Sequence, residues 1–324
     1  MKRFKDAIKR SLVLFDVLAV PVSGLCCLFL AIVRRLGVER LPLQRWVFAK
    51  IGVFPIRDHY YEPLFNPLRL KRSLRQDRHL PGINFNDREQ LKLLDAFDFN
   101  EELLSIPLHS DGSLSFYYQN DSFLSGDAEF LFNIIRHYRP RKLIEIGCGN
   151  STLMMIEAIV KNRQKDPSYS CEHIAIEPFN APWLESLGIK PIRKLVEDVD
   201  PELFQSLDRN DILFIDSSHM IRPQGDVLRE YLELLPSLRN GVLIHVHDIF
   251  SPKDYLDLWV LKQVRFWNEQ YLLEAFLTLN DQFEVIGALN YLHHHYRAQL
   301  CSKCPILASE PEGREPGSFW MRRR

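Results

Sequence analysis

Four acidic residues sit at or just before the ends of four apolar runs. Glu145 lies in Leu143-Ile144-Glu145-Ile146-Gly147-Cys148-Gly149-Asn150-Ser151-Thr152, and Glu177 closes His173-Ile174-Ala175-Ile176. Asp216 closes Asp211-Ile212-Leu213-Phe214-Ile215, and Asp248 closes Gly241-Val242-Leu243-Ile244-His245-Val246-His247. Gly147 and Gly149 let the backbone turn sharply and approach a ligand closely. Asn150, Ser151 and Thr152 then open a helix whose first N–H groups lack partners within the helix and favour a polar or anionic ligand. An acid after the next strand, here Glu177, is placed to bind ribose hydroxyls in doubly wound folds. Thr152 stands where the dinucleotide fingerprint has its third glycine, so the run departs from that motif. An ordinary strand-to-helix turn explains the glycines alone equally well; the three acid-ended runs that follow tip the balance.

These residues need a frame. Each run has the length and continuous apolarity of a strand buried on both faces, and each is flanked by turn or helix patterns. Ligands of such sheets bind beyond the carboxyl ends of the strands, where all four acids are expected. The pattern therefore specifies an α/β fold. Gly126 opens a helix through Tyr138 that Pro140 ends, and Leu153 to Asn162 forms the next. Pro191–Val196 reads as a strand, Asp226–Leu235 as a helix closed by Pro236, and Tyr255–Leu279 as largely helical. Phe283–Leu289 and Ser318–Arg322 read as a final antiparallel pair. Residues 57–125 form an arm or helical cap, with Arg69–Arg78 as a solvated helix face and a helix over Arg88–Phe99.

Composition narrows the class. The 324 residues carry 41 basic and 42 acidic side chains, a net charge of -1 that gives no general drive toward nucleic acid. Six cysteines in a chain of this length do not make a disulfide scaffold and suit a reducing cytoplasm. Cys301 and Cys304 follow His293-His294-His295 closely, a weak zinc signal without a second cysteine pair. Ser11 to Val33 is almost wholly apolar and long enough for a membrane helix, yet contains Asp16, Pro21 and Gly24. Basic residues flank it on both sides, and positive flanks favour the cytoplasm. A re-entrant hairpin bent at Pro21–Gly24 is the leading expectation, ahead of a kinked single span and a buried core helix. Leu41–Ile56 suits the membrane interface. The expected organisation is 1–56 membrane-associated, 57–125 cap or arm, and 126–324 the α/β domain.

From about Tyr60 to Met321 the chain resembles bacterial class I S-adenosylmethionine-dependent methyltransferases of the group called methyltransferase family 24. The likeness rests on Glu145-Ile146-Gly147-Cys148-Gly149-Asn150-Ser151-Thr152, Phe214-Ile215-Asp216-Ser217-Ser218-His219, His245-Val246-His247-Asp248-Ile249-Phe250 and Trp267-Asn268-Glu269-Gln270-Tyr271. It implies a Rossmann-like, doubly wound seven-stranded sheet in the order 3-2-1-4-5-7-6, with S-adenosylmethionine as methyl donor. Glu145, Gly147, Gly149, Asn150 and Ser151 would then belong to the donor loop. Glu177 would bind the ribose, and Asp127 and Glu129 would neighbour the methionine end. Similar catechol- and macrocin-type enzymes hold Mg²⁺, which implies a metal set of Asp216, His247 and Asp248. Mg²⁺ prefers oxygen ligands, and His247 suits a transition metal better. The resemblance also puts His219 where the catechol-type enzymes have a lysine base; a neutral imidazole can do that work near pH 7. Loop orientation is the alternative role for His219 and His247.

The expected protein is a methyltransferase at the bacterial inner membrane with its catalytic domain in the cytoplasm. Its acceptor is a hydroxyl of a small molecule, sugar or lipid-linked saccharide, and its partners are that acceptor and the lipid bilayer, not nucleic acid. Two alternatives stand beside it: a metal enzyme of the cephalosporin-hydroxylase type, and a non-catalytic, membrane-tethered nucleoside-binding or assembly protein.

Overall fold

The computed structural model of the chain describes residues 2–179, 181–311 and 313–324, with side chains from residue 11 onward. The chain divides into two compact units, Met1–Lys71 and Arg72–Arg324.

In the first unit, α1 (Lys2–Leu36) is one continuous helix with Pro21 inside it. The expected hairpin does not form. A helix satisfies nearly all its own backbone groups, whereas a bend in an apolar stretch would leave several unpaired. Ser11–Leu36 has mean hydropathy 2.3 and is long and apolar enough to cross a membrane. Pro42 opens α2 (Pro42–Ile51), where its missing N–H costs nothing, and left-handed Gly52 closes it. Val33, Val38 and Phe48 make a small core. Arg34 donates a bidentate pair to Glu62, both at 2.9 Å, and its guanidinium covers the Phe54 ring.

In the second unit a seven-stranded sheet runs β3-β2-β1-β4-β5-β7-β6. The strands are β1 (Lys142–Ile146), β2 (Glu172–Ile176), β3 (Lys190–Ile192), β4 (Ile212–Ile215), β5 (Leu243–Val246), β6 (Phe283–Ala288) and β7 (Phe319–Arg323). β1 to β5 pair in parallel; β7 is antiparallel to both β5 and β6. The expected order and terminal hairpin are both found.

Side chains alternate across the sheet, so each strand feeds two cores. Leu143, Phe214, Leu243 and Trp320 face one layer. It contains α3 (Asp87–Asp95), α4 (Asn100–Leu104), α5 (Asp127–Tyr138) and α6 (Asn150–Lys165). Ile144, Ile146, Leu213, Ile215 and Val246 face the other. That layer holds α7 (Pro201–Gln205), a helical run of α8 (Asp226–Arg229), a π-helical turn (Glu230–Leu234) and α9 (Leu235–Ser237), and then α10 (Glu269–Leu277). Short helices α11 (Leu289–His295), α12 (Arg297–Lys303) and α13 (Pro305–Ser309) lead back to β7.

Two stretches differ from expectation. Arg72–His79 is a non-helical strap rather than a solvated helix face. Arg75 pairs with Glu315, Arg78 with Glu274, and Asp77 with Lys253, while Leu74 is buried. Carboxylates from distant segments capture guanidiniums that sequence periodicity assigns to water. Tyr255–Leu279 is not one helix: a π-helical turn at Leu258–Lys262 gives way to an irregular segment before α10. Val264 there is left-handed, φ 54°, which a continuous helix forbids.

Candidate active site

The glycine loop leaves β1 at Gly147, whose φ is 80°. A methyl group there would overlap the Asp216 carbonyl oxygen, so only glycine fits where the β1 and β4 loops touch. The Gly147 N–H donates to Ile176 O at 3.0 Å and the Gly149 N–H to Thr152 Oγ1 at 3.0 Å. The Cys148 N–H donates to Glu177 Oε2 at 3.3 Å, and the Phe179 N–H to Glu177 Oε1 at 2.8 Å. Glu177 remains half-exposed beside the half-buried loop residues 147–150. The Asn150 side chain donates to Ser122 Oγ at 2.8 Å. Burial pushes the Cys148 thiol far above its usual range, which favours the neutral thiol.

Glu145 faces inward. Strand alternation puts it beside Leu143 on the helix-covered face, fully buried. Its two oxygens accept from Ser151 Oγ at 2.6 Å and Thr152 Oγ1 at 2.8 Å, and His173 Nε2 lies 3.3 Å away. Glu145 and the Ser151 hydroxyl therefore pin the first turn of α6. Asp127 is also buried, and its carboxylate accepts from the Gly317 and Ser318 N–H groups and from Arg314. It anchors the approach to β7. Glu129 accepts from the Gly126, Ile306 and Leu307 N–H groups, and burial pushes its carboxyl up to about 7.

The opposite side of the cleft collects charge. Asp216 follows β4 and Asp248 follows β5, and their ladder bonds continue past the strands: Asp216 N–H to Ile146 O, His247 N–H to Ile215 O. His219 and Asp248 are both left-handed, φ 60° and 58°. Such non-glycine conformations persist only where surroundings enforce them, and they gather at functional sites. His219 Nε2 lies 3.3 Å from Asp216 Oδ1 and 3.6 Å from Asp248 Oδ2. Its Nδ1 lies 2.8 Å from Glu269 Oε2, while the Tyr231 hydroxyl donates to Glu269 Oε1 at 3.1 Å. The His219 backbone carbonyl accepts from the Asn268 and Glu269 N–H groups. His247 Nδ1 lies 3.4 Å from Asp216 Oδ1 and 3.7 Å from Asp248 Oδ1.

Burial acts against charge on every member, and proximity overrides it on most. Burial lowers His219, but its bonds to Asp216 and Glu269 raise it well above the ordinary histidine range. Burial lowers His247 as well; Asp248 and Asp216 raise it to about 9. Burial raises Asp216, yet the two imidazoles hold it far below the usual carboxylate range. Asp248 stays raised, because burial outweighs the histidines. Glu230, buried near Glu269 with Ser217 Oγ at 3.1 Å, is raised well above its ordinary value by that burial and by the Glu269 charge.

Glu177, Asp216 and Asp248 thus share the sheet edge with the glycine loop, while Glu145, Ser151 and Asp127 hold the scaffold. Among the described residues, the group of histidine, cysteine and acidic side chains able to hold a metal is Asp216, His219 and Asp248, with ligand atoms within 4.8 Å of one another. His219 stands in that trio where His247 was expected. The cysteine–histidine stretch does not assemble: Cys304 is buried, His294 pairs with Glu315 and His295 with Asp77. Glu269 and Tyr231 were missed as site residues. Glu269 lies in the Trp267–Tyr271 motif, but nothing local reveals that it meets His219. Surface cavities of 240 and 660 Å³ lie elsewhere and contain none of these acids.

Comparison with known proteins agrees with this frame. A family model described as a methyltransferase domain matches residues 144–249, from β1 through the end of β5. An uncharacterized protein of Archaeoglobus fulgidus is 32% identical over 191 residues, 55% of this chain and 82% of that one. Among solved structures, the MycE methyltransferase of the mycinamycin pathway, in complex with Mg and SAH, aligns at 16% identity and TM-score 0.31, over 60% of this chain and 48% of that one. The same enzyme with Mg, SAH and mycinamycin VI aligns at 15% identity and TM-score 0.31, over 58% and 47%. The chain spans about half the length of MycE. The family match covers the strands that carry the glycine loop, Glu177, Asp216 and Asp248, and the sheet order is the one that family implies: this chain carries a class I methyltransferase domain.

Proposed function

We propose that this protein transfers a methyl group from S-adenosylmethionine to a hydroxyl oxygen of a small molecule, sugar or lipid-linked saccharide. The supporting observation is the convergence at one sheet edge of the glycine loop, Glu177 and the Asp216–His219–Asp248 group. Gly147 to Asn150 offer backbone to the amino-acid end of the donor, and Glu177 offers carboxylate oxygens to its ribose. In the transfer the methyl–sulfur bond breaks with its electron pair returning to sulfur, the methyl–oxygen bond forms, and the hydroxyl proton leaves to a base. Glu269, fixed by Tyr231, orients His219 so that Nε2 faces the cleft, the arrangement that makes an imidazole a directed base. Asp216, Glu269 and Asp248 favour a proton on this ring, and His219 is freed to act as base when Asp216 and Asp248 are engaged elsewhere.

Two carboxylates and one imidazole fit a divalent cation, Mg²⁺ with retained waters or a transition metal. When bound, such an ion polarises the acceptor hydroxyl and lowers its pKa. Asp216 and Asp248 would supply oxygens, and His247, with Nδ1 3.4 Å from Asp216 Oδ1, would supply nitrogen where His219 serves as the base.

Membrane attachment rests on α1, whose Ser11–Leu36 stretch suits a span, and on exposed Trp46 and Ile51 of α2. Basic residues stand on both flanks, Lys2 to Arg10 and Arg34 to Arg45, so charge alone chooses no side; the free cysteines of the catalytic unit suit the reducing cytoplasm, where we place it, at the inner membrane. Flotation of the full chain with liposomes tests this; protein left at the bottom of the gradient refutes it.

Calorimetric titration of the full chain with S-adenosylhomocysteine, with and without Mg²⁺, tests the donor site. Micromolar binding that weakens about tenfold to a hundredfold in Glu177→Ala supports it, the range expected for hydrogen bonds to a charged group. No binding under either condition sinks the transferase reading.

A further inference from the structure

One cation beside the site is arranged unlike the others. Arg75, Arg78 and Lys253 are all paired with carboxylates, Glu315, Glu274 and Asp77. Arg265 is not: among the described residues its guanidinium has no hydrogen-bonding or acidic partner. Instead its central carbon lies 4.3 Å from the centre of the Trp267 ring and 4.6 Å from that of Trp259. The two indoles meet edge to face, 5.1 Å apart, and make a corner over which the cation rests. Trp267 in turn lies 4.4 Å from the His219 ring. One aromatic ring therefore separates Arg265 from the centre of the site.

The corner is held in place. The Arg265 N–H donates to Trp259 O at 2.9 Å, and the Asn268 side chain accepts from the Ile221 N–H at 2.6 Å. The first bond closes the segment on itself, and the second ties it to the loop carrying His219. With the two indole planes 72° apart, a planar guanidinium can lie flat on only one of them and turns part of its edge to the other, which leaves some of its five N–H donors for a ligand. A fixed, half-buried guanidinium with an open edge binds a planar or tetrahedral oxyanion through paired hydrogen bonds.

We propose that Arg265, seated on Trp259 and Trp267 beside His219, recognises the acceptor, and that the acceptor is an acidic hydroxyl compound, a sugar carrying a carboxylate or phosphate. This rests on the transferase reading above and adds its substrate class. The acid group engages Arg265, and the hydroxyl to be methylated reaches His219 on the far side of Trp267. A neutral sugar lacks the first contact.

Tryptophan emission reads this directly, because two of the five tryptophans form the corner. The full chain saturated with S-adenosylhomocysteine is titrated with D-glucuronate, D-glucose 6-phosphate and D-glucose. Quenching by one of the two acids should saturate at a concentration at least tenfold below that for glucose. It should be lost in Arg265→Gln, partly kept in Arg265→Lys, and diminished in Trp267→Phe. Which acid acts separates carboxylate from phosphate recognition. Calorimetry with S-adenosylhomocysteine on the same sample reads the donor site separately. If the donor product binds but the acids quench no better than glucose, or quench Arg265→Gln equally, or no probe gives a saturable signal, the acceptor assignment falls alone. If the donor product does not bind, the transferase reading falls and takes the acceptor assignment with it.

Discussion

The two sides of the cleft are built in opposite ways. The donor side, Gly147 to Thr152 with Glu177, comes almost whole from one stretch of chain and is held by short local bonds. The other side draws Asp216, His219, Tyr231, Asp248 and Glu269 from the β4 loop, the π-helical turn, the β5 loop and α10. Three carboxylates there face one imidazole, with two left-handed residues among them. A contiguous loop suffices to grip an invariant part of a ligand, since backbone N–H groups do the binding. A reacting centre must tune proton affinity, and that takes buried charges brought together by the fold. The donor side should therefore tolerate side-chain changes better than the reacting side.

Glu269→Gln is expected to break the comparison most sharply. It keeps the shape and the Tyr231 contact but removes the charge that orients His219. Turnover should fall about a hundredfold to ten-thousandfold, the range for lost general-base orientation, with S-adenosylhomocysteine affinity retained. Steady-state rates beside calorimetry decide it: equal losses in both would make Glu269 a structural residue only. Gly147→Ala comes next and strikes both sides. Its methyl meets the Asp216 carbonyl at a φ that alanine disfavours, at a cost of roughly 2–4 kcal/mol. Donor affinity and thermal stability should drop together. An unperturbed variant would mean that the two loops move apart freely, contrary to their packing here.

The glycine loop and its strands were legible in the sequence because their logic is local. Apolar runs, glycine spacing and terminal acids all follow from strand and turn physics, and the same runs yielded the parallel strands. Period two also explains what that reading left out: Glu145 points to the same face as Leu143, where its two oxygens accept from Ser151 and Thr152. The reacting side was half legible. Asp216, His219 and Asp248 stand at strand ends and announce themselves. Glu269 lies 50 residues beyond His219 and joins it only through the packing of α10. Charge pairing across distance was equally invisible, so Arg75 and Arg78 read as solvated. At Pro21 a local breaker signal overstated its case, because backbone satisfaction along an apolar helix outweighs one missing N–H.

Glu145→Gln sharpens the donor side. An amide keeps one good acceptor but offers N–H groups where the carboxylate offered a second oxygen to a hydroxyl. Ser151 and Thr152 can rotate their protons to compensate in part. The loss should be about 1 kcal/mol of stability and a donor affinity weaker by roughly tenfold or less, as expected for altered hydrogen bonds rather than lost ligand contacts. A loss of a hundredfold or more, with stability unchanged, would restore Glu145 as a direct ligand residue.

The smallest effect expected lies outside both sides and checks that the others are specific. Glu315 accepts from Arg75, Asn290 and His294, and joins the 72–79 strap to α11. Burial alone would raise its carboxyl, but these partners hold it far below the usual glutamate range. A carboxyl depressed in the folded state binds its proton more readily when unfolded. Its contribution is therefore full above the ordinary glutamate pKa, about 4.3, and is lost as pH falls below it. Glu315→Gln should lower stability by about 1 kcal/mol at pH 7, and the gap to the wild type should narrow steadily below about pH 4.5. Urea midpoints of both proteins between pH 7 and pH 3.5 measure this. A gap that stays constant across that range would show that the strap is held by packing and not by the Glu315 charge.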